Sequence, residues 1–114
     1  MSTPTTRRDR AATPRPSGLR DRERCDTLVL AALASADRDG YGVLHRLHEG
    51  ARGTPQPSAQ QVFASLHRLA RNRLVRRSPD DARRYRLTGT GSRVLAARTA
   101  AADAYAASLH DLQG

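Results

Sequence analysis

The pattern of apolar and polar positions is most informative between residues 58 and 87, where a helical period gives way to an extended one. Apolar side chains first recur at steps of one to four residues, at Val62, Phe63, Leu66, Leu69 and Ala70. This spacing predicts a helix with one buried face. Ser58 followed three residues later by Gln61 matches a capping box, which predicts that the helix starts immediately after Ser58.

Two short runs after this helix predict a β-hairpin. Residues 74–75 are apolar, residues 84–87 alternate basic and apolar side chains after Arg83, and the Pro79-Asp80-Asp81 sequence between the runs favours a turn. Successive side chains of a strand point to opposite faces. We therefore expect Tyr85 and Leu87 to face inward, with Arg84 and Arg86 together on the outer face.

Three other stretches have helical periodicity. The first covers residues 19–36, with apolar positions at Cys25, Leu28, Val29, Ala32 and Ala36. After a turn at Asp37-Arg38-Asp39-Gly40, a second short helix ends near Gly50 and Gly53, and its expected inward residues are Tyr41, Leu44 and Leu47. The last helix covers about 90–112, with Thr88 as its N-cap. These elements predict a mainly α fold with a small β-hairpin.

The exposed face of the capped helix is polar and basic, and the chain has no acidic residue between Glu49 and Asp80. A helix of this kind followed by a basic hairpin is what a winged helix-turn-helix presents to DNA. Arginine and glutamine can read base edges in the major groove, whereas the hairpin arginines would hold phosphates. The candidate DNA-binding residues are Ser58, Gln60, Gln61, Ala64, His67, Arg68, Arg71, Arg83, Arg84 and Arg86.

The last helix has a heptad-like apolar seam with one charged exception at Arg98. The seam could pack on the first helix of the same chain or pair with a second chain. A thin, alanine-rich core in a small chain favours oligomerisation. We therefore expect a homodimer, and its candidate dimerisation residues are Leu95, Ala102, Tyr105, Leu109 and Leu112.

The charge balance favours a polyanionic partner. The chain has 114 residues, a formal net charge of +9 and a pI near 11.4, and all 20 of its basic residues are arginine. Coding bias accounts for the missing lysine but not for the absence of acidic residues between Glu49 and Asp80. We therefore favour nucleic acid over a membrane surface as the partner. The single Cys25 suits a reducing cytoplasm. No apolar run reaches the roughly 18–20 residues of a membrane span.

The segment 1–18 is rich in proline, threonine and arginine and has few apolar side chains. This composition predicts a disordered basic arm, which either tracks phosphates or is an inert tail. The predicted organisation is therefore an arm at 1–18, a winged helix-turn-helix domain at 19–88 and a dimerisation helix at 89–114. A secretory signal around 28–36 is disfavoured by the acidic residues Asp21, Glu23 and Asp26 immediately before it.

Other chemistry is weakly supported. His45 and His48 could share a metal ion on one helix face, but a site needs three or four ligands. The glycine-rich stretch 88–92 lacks the lysine of a P-loop, and we interpret it as a strand-to-helix corner. No catalytic constellation is present, so we expect no enzymatic activity, no cofactor and no metal.

Five motifs occur in order along the chain. They are Leu28-Val29-Leu30-Ala31-Ala32-Leu33, Gly40-Tyr41-Gly42-Val43, Val62-Phe63-x-x-Leu66-x-x-Leu69, Leu74-Val75, and Arg84-Tyr85-Arg86-Leu87-Thr88-x-x-Gly91. With these motifs at this spacing, residues 28–95 resemble the PadR family of bacterial winged-helix transcriptional regulators. The resemblance implies a homodimer, DNA binding by the third helix and the wing, and dimerisation through the helix after the wing. The tail resembles the subgroup with a single C-terminal helix.

Two positions depart from the family pattern. The family usually has tyrosine where this chain has Phe63, and glycine where it has Arg73. Glycine at the second position would suit a left-handed helix end. Either Asn72 substitutes for it, or the turn into the hairpin differs.

The sequence therefore predicts a transcriptional regulator, most simply a repressor, that binds double-stranded DNA as a homodimer and responds to an unidentified small-molecule effector if it has one. Two alternatives stay open at this point. One is a winged-helix adaptor that binds protein through its last helix, although such an adaptor would not need an acid-free surface. The other is a ligand or metal sensor of a neighbouring winged-helix family.

Overall fold

The computed structural model describes the backbone of residues 14–50 and 56–114, with side chains from residue 21 onward. Over these residues it contains helices α1 (Pro14–Ala34), α2 (Gly40–Gly50), α3 (Ala59–Arg71) and α4 (Gly89–Gln113), with strands β1 (Val75–Arg77) and β2 (Tyr85–Leu87) between α3 and α4. The predicted mainly α fold with one hairpin is confirmed. Residues 1–13 of the predicted arm lie outside the described residues.

The first helix differs from its predicted bounds at both ends. It begins at Pro14 rather than residue 19, and prolines are tolerated in a first turn because its N–H groups have no intrahelical acceptor. It ends at Ala34, so Ala36, which the sequence predicts to be an apolar position of this helix, lies beyond it and is exposed. Arg38 folds back on the last turn. The Arg38 Nε donates to the Ala32 carbonyl at 2.8 Å, and Nη2 donates to the Ser35 hydroxyl at 3.2 Å.

The core lies where α1, α2 and α3 meet, and β1 closes one side of it. Most of the apolar positions that define the predicted helices are buried in this core. Its members are Cys25, Val29, Leu30, Ala32, Leu33, Val43, Leu47, Val62, Leu66, Leu69 and Val75.

Tyr41 was expected to face inward, and this expectation is wrong. Its side chain is 70% exposed and packs edge-on against Phe63, with the ring centroids 5.2 Å apart. Phe63 lies outside the core because its ring covers the backbone at Gly40, where a Cβ would come within 2.1 Å of the ring. The two rings therefore form an exposed aromatic pair between α2 and α3.

The capping box at the start of α3 is confirmed. The Gln61 N–H donates to the Ser58 hydroxyl at 3.1 Å, and the Ser58 N–H donates to the Gln61 side-chain oxygen at 2.8 Å. Each side chain thus covers a backbone group that the helix itself leaves without a partner.

The end of α3 answers the question raised by the missing glycine. The Leu74 N–H donates to the Leu69 carbonyl at 2.9 Å and the Arg73 N–H donates to the Ala70 carbonyl at 3.0 Å, which is the Schellman pattern. Arg73 itself has φ 62°, whereas Asn72 has φ −89°. Arg73 therefore occupies the left-handed position without the freedom of glycine.

The wing is an antiparallel pair in which Val75 faces Leu87 and Arg77 faces Tyr85. Tyr85 and Leu87 pack against the core, as predicted. The outer edge of β2 pairs with the turn before α2, since Arg38 and Tyr85 exchange backbone hydrogen bonds of 3.2 and 2.7 Å. This bridge fixes the wing to the turn between α1 and α2.

The glycine-rich stretch is a strand-to-helix corner, as interpreted from the sequence. Thr88 caps α4 by accepting from the Gly91 N–H at 3.0 Å. Gly91 lies against β1, and a Cβ there would come within 2.0 Å of the Leu74 carbonyl oxygen. A side chain at this position would therefore push α4 away from the wing.

Candidate nucleic-acid interface

The helix α3 presents a polar face opposite its core face. Val62, Ser65, Leu66 and Leu69 are buried on one side. The positions one turn apart on the opposite side are exposed, namely Gln60, Ala64, His67 and Arg71. Among the described residues, no hydrogen bond or ion pair involves the Arg71 side chain. A partner could therefore contact this face without rearrangement of the core.

Two of the predicted DNA-binding residues, Ser58 and Gln61, form the capping box at the start of α3. The Ser58 hydroxyl and the Gln61 side-chain oxygen are both engaged in the capping box. Ser58 and Gln61 are exposed, but their acceptor oxygens already serve the backbone of α3.

The Arg68 side chain is also bonded to another part of the protein. It lies at the edge of the exposed face, and its Nη2 donates to Asp26 of α1 at 2.7 Å. The same carboxylate accepts from the buried Ser65 hydroxyl at 2.5 Å. The guanidinium predicted to face the major groove is therefore turned toward α1.

Arg86 is held in the same way on the wing. Its Nη2 donates to Asp37 Oδ2 at 2.9 Å and its Nε to Asp37 Oδ1 at 3.2 Å, which makes a bidentate pair between β2 and the turn after α1. The hydrogen bond from Arg86 lowers the pKa of Asp37, and the Ser78 hydroxyl lowers that pKa further. The partnership likewise raises the pKa of Arg86. Arg84 and Arg86 thus differ in their freedom although they lie two residues apart.

The wing tip is held by Asp81 and Arg77. The Arg83 N–H donates to the Asp81 carboxylate at 2.9 Å and lowers its pKa, together with the Arg83 side chain. The Arg84 Nε lies 3.8 Å from the same carboxylate. Arg77 donates to the Ala82 carbonyl at 2.9 Å and stacks 4.5 Å from the centre of the Tyr85 ring. The Arg83 and Arg84 side chains are 87% and 57% exposed. Their ion pairs with Asp81 are weak because water and salt screen exposed charges, so both arginines stay available to phosphates.

Arg76 is a candidate contact residue that our sequence analysis missed. It is exposed, it faces Arg86 across the hairpin, and no hydrogen bond or ion pair joins it to another described residue. Strand alternation carried the signal, because Arg76 follows the buried Val75 and must face the opposite way.

Of the five predicted dimerisation residues, one packs against the core and four are exposed to solvent. Leu95 is half-buried against the core, and the neighbouring Arg98 donates to the Thr27 hydroxyl of α1 at 2.9 Å. Every residue after Arg98 is exposed in the single chain. The exposed set includes Ala102, Tyr105, Leu109 and Leu112.

The remaining titratable candidates have ordinary structural roles. Cys25 is buried, its Sγ donates to the Gln61 carbonyl at 3.7 Å, and burial raises the pKa of its thiol. His45 Nδ1 lies 3.7 Å from the Glu49 carboxylate on the surface of α2. Within the described ranges, no three His, Cys, Asp or Glu side chains group as a metal site would, and no helix is apolar and long enough to cross a membrane.

Two short helices packed on α1, the second of them capped and polar on its exposed face, and a following antiparallel wing together define a winged-helix DNA-binding protein. The family model for the PadR-like transcriptional regulators matches residues 29–97. The chain therefore belongs to the PadR-like family of transcriptional regulators. A comparison with curated protein sequences gave no significant match.

Two solved structures share the fold. A transcriptional regulator from Clostridium thermocellum superposes with a TM-score of 0.66 at 16% identity, over 79% of this chain and 90% of that one. A PadR family transcription regulator from Clostridium difficile superposes with a TM-score of 0.65 at 18% identity, over 79% of this chain and 98% of that one.

Proposed function

We propose that this protein is a cytoplasmic, sequence-specific transcriptional repressor that binds double-stranded DNA as a homodimer. The observation that carries the proposal is the set of exposed polar and basic side chains on α3 and on the wing that follows it. We call this set the DNA face, and it is formed by Gln60, Ala64, His67, Arg71, Arg76, Arg83 and Arg84.

The residues of the DNA face fall into two groups, one for contacts to bases and one for contacts to phosphates. Gln60 and Arg71 carry planar donor groups on the helix, where they can pair with adenine and guanine edges in the major groove. Arg76, Arg83 and Arg84 lie on the wing, where long cationic side chains reach phosphates and carry no sequence information.

Exposed apolar residues on α4 support the dimer. Tyr105 and Leu112 are 68% and 83% exposed in the single chain, and Leu109 lies on the same helix. Pairing of this segment with a second copy removes the apolar surface from water. In such a dimer, we expect the two copies of α3 to bind half-sites about 34–36 Å apart, or a multiple of that spacing.

The first test is selection of bound fragments from genomic DNA of the source organism, followed by titration of matched and scrambled duplexes. We expect a site with twofold symmetry, and we expect transcription to fall in vitro when this site overlaps a promoter. Binding without preference would contradict sequence-specific recognition, and increased transcription would contradict repression.

A second test separates the two kinds of contact. The variant Arg76→Ala with Arg84→Ala should weaken binding to matched and scrambled duplexes alike and flatten the salt slope, since each phosphate contact contributes about −0.9 to that slope. Gln60→Ala should mainly reduce preference for the matched site, because a bidentate base contact carries about 1–3 kcal/mol of discrimination. A wing variant with the wild-type salt slope would refute the assignment.

A further inference from the structure

The carboxylate of Asp26, which is not part of the DNA face, accepts hydrogen bonds from two side chains of α3. It accepts from the Ser65 hydroxyl at 2.5 Å and from the Arg68 Nη2 at 2.7 Å, with the Arg68 Nε at 3.5 Å. The Asp26 side chain is 17% exposed, and Ser65 is fully buried. These bonds lie between α1 and α3, across 39 to 42 residues of chain.

The two bonds constrain the rotation of α3 about its own axis. Ser65 belongs to the buried face of α3 and Arg68 to its edge, three residues further on. Side chains at this spacing are neighbours on a helix surface, so one carboxylate can hold both. A rotation of α3 would have to break a charge-assisted hydrogen bond or leave a buried hydroxyl without its acceptor.

The same carboxylate keeps an arginine away from the major groove. Arg68 lines a surface groove together with Gln60 and Ala64, which belong to the DNA face. A released guanidinium at this edge could reach guanine edges or phosphates, since arginine to guanine is the commonest specific contact. Held by Asp26, it contributes neither.

We propose that Asp26 is a specificity-determining positioning residue, which keeps Arg68 out of the DNA interface. This inference rests on the proposed DNA-binding function. It assigns Arg68 the opposite role to the direct base contact that its position in the sequence predicts.

The decisive variant is Arg68→Ala, which should keep the wild-type ratio of affinities for matched and scrambled duplexes within about twofold. A group held at Asp26 reads no base, so its removal leaves the reading side chains unchanged. Gln60→Ala, measured in parallel, supplies the loss expected for a direct contact. A loss of discrimination by Arg68→Ala as large as that of Gln60→Ala would overturn the proposal.

Asp26→Asn tests the release of the guanidinium. It should raise affinity for the scrambled duplex several-fold, lower the matched-to-scrambled ratio, and steepen the salt slope by about 0.9 per subunit. The double variant Asp26→Asn with Arg68→Ala should lose the steeper slope, because no freed arginine remains.

Two controls separate this effect from general changes in charge and packing. Glu23→Gln removes the same charge from an exposed position on α1, outside the DNA face and the proposed dimer interface, and should leave the ratio unchanged. Ser65→Ala keeps the ion pair, so the scrambled-duplex affinity and salt slope should stay at their wild-type values. A gain in Glu23→Gln equal to that in Asp26→Asn would overturn the proposal in favour of net charge.

The outcomes also distinguish this inference from the proposed function. If the wild-type protein prefers no genomic site, sequence-specific binding itself is refuted. If the wild type discriminates but Asp26→Asn, folded by circular dichroism, keeps both the ratio and the salt slope, only the role of Asp26 is refuted.

Discussion

Replacement of Arg73 by glycine should stabilise the protein. Arg73 has φ 62°, and a left-handed residue with a Cβ costs roughly 1–2 kcal/mol. Glycine relieves this strain but gains freedom in the unfolded chain, which costs about 0.5–1 kcal/mol. The net expectation is a gain of about 0.5–1 kcal/mol in the free energy of unfolding, or roughly 2–8 °C in Tm for a domain of this size.

The contacts around Arg73 should survive the substitution. Its carbonyl accepts from the Thr88 hydroxyl at 2.8 Å, and its N–H belongs to the Schellman motif, so both bonds come from the backbone. No described residue bonds to its guanidinium, so the variant loses no side-chain partner.

The assay is thermal and urea unfolding of wild type and variants at one protein concentration, because the stability of a dimer depends on concentration. Arg73→Ala keeps the strained Cβ and should give no comparable gain. Asn72→Gly changes a residue at φ −89°, and it should destabilise by about 0.5–1 kcal/mol. An equal gain in Arg73→Ala and Arg73→Gly would refute the backbone argument and implicate repulsion from nearby arginines.

Three further outcomes are expected. Ser58→Ala should lower the free energy of unfolding by about 0.5–2 kcal/mol, and an unchanged melt would show that the capping box contributes little. Leu109→Asp combined with Leu112→Asp should give monomer by light scattering and weak DNA binding, since each chain would then engage its half-site alone, whereas a wild-type monomer at micromolar concentration would contradict the dimer. The pKa of Asp37 is lowered in the folded state, so its stabilising contribution is present above the ordinary aspartate pKa and is lost as pH falls through the lowered value. Asp37→Asn should accordingly flatten the acid limb of the unfolding profile, and an acid limb identical to wild type would show that the pair with Arg86 does not couple to folding.

Features that depend on neighbours in the chain could be predicted from the sequence. The capping box joins Ser58 to a residue three positions away, and the Thr88 cap uses the same spacing. The apolar period likewise predicts Val62, Leu66 and Leu69 on the buried face of α3. It fails for Phe63 and Ala70, which are exposed, and for the polar Ser65, which is buried. Such patterns work because the partner lies within one helical turn, where backbone geometry already fixes the distance.

Features that depend on tertiary packing could not be predicted in the same way. Arg68 and Asp26 are 42 residues apart, and Arg86 and Asp37 are 49 apart, so no local pattern joins either pair. The conformation of Arg73 was missed for a different reason. An arginine carries no signal for a left-handed turn, and only the family's glycine at this position suggested one.

Partly buried ion pairs distinguish two arginines, Arg68 and Arg86, from those that we propose for DNA binding. A net charge of +9 suggests a uniformly basic surface, but Asp26 and Asp37 each neutralise one arginine through a partly buried pair. An arginine held in this way would have to break the pair before contacting a phosphate, and the abandoned carboxylate would then repel the DNA. Arg71 and Arg76 face no such cost, because no described carboxylate pairs with them. Neutralising Asp26 should therefore change DNA binding more than removing the arginine it holds.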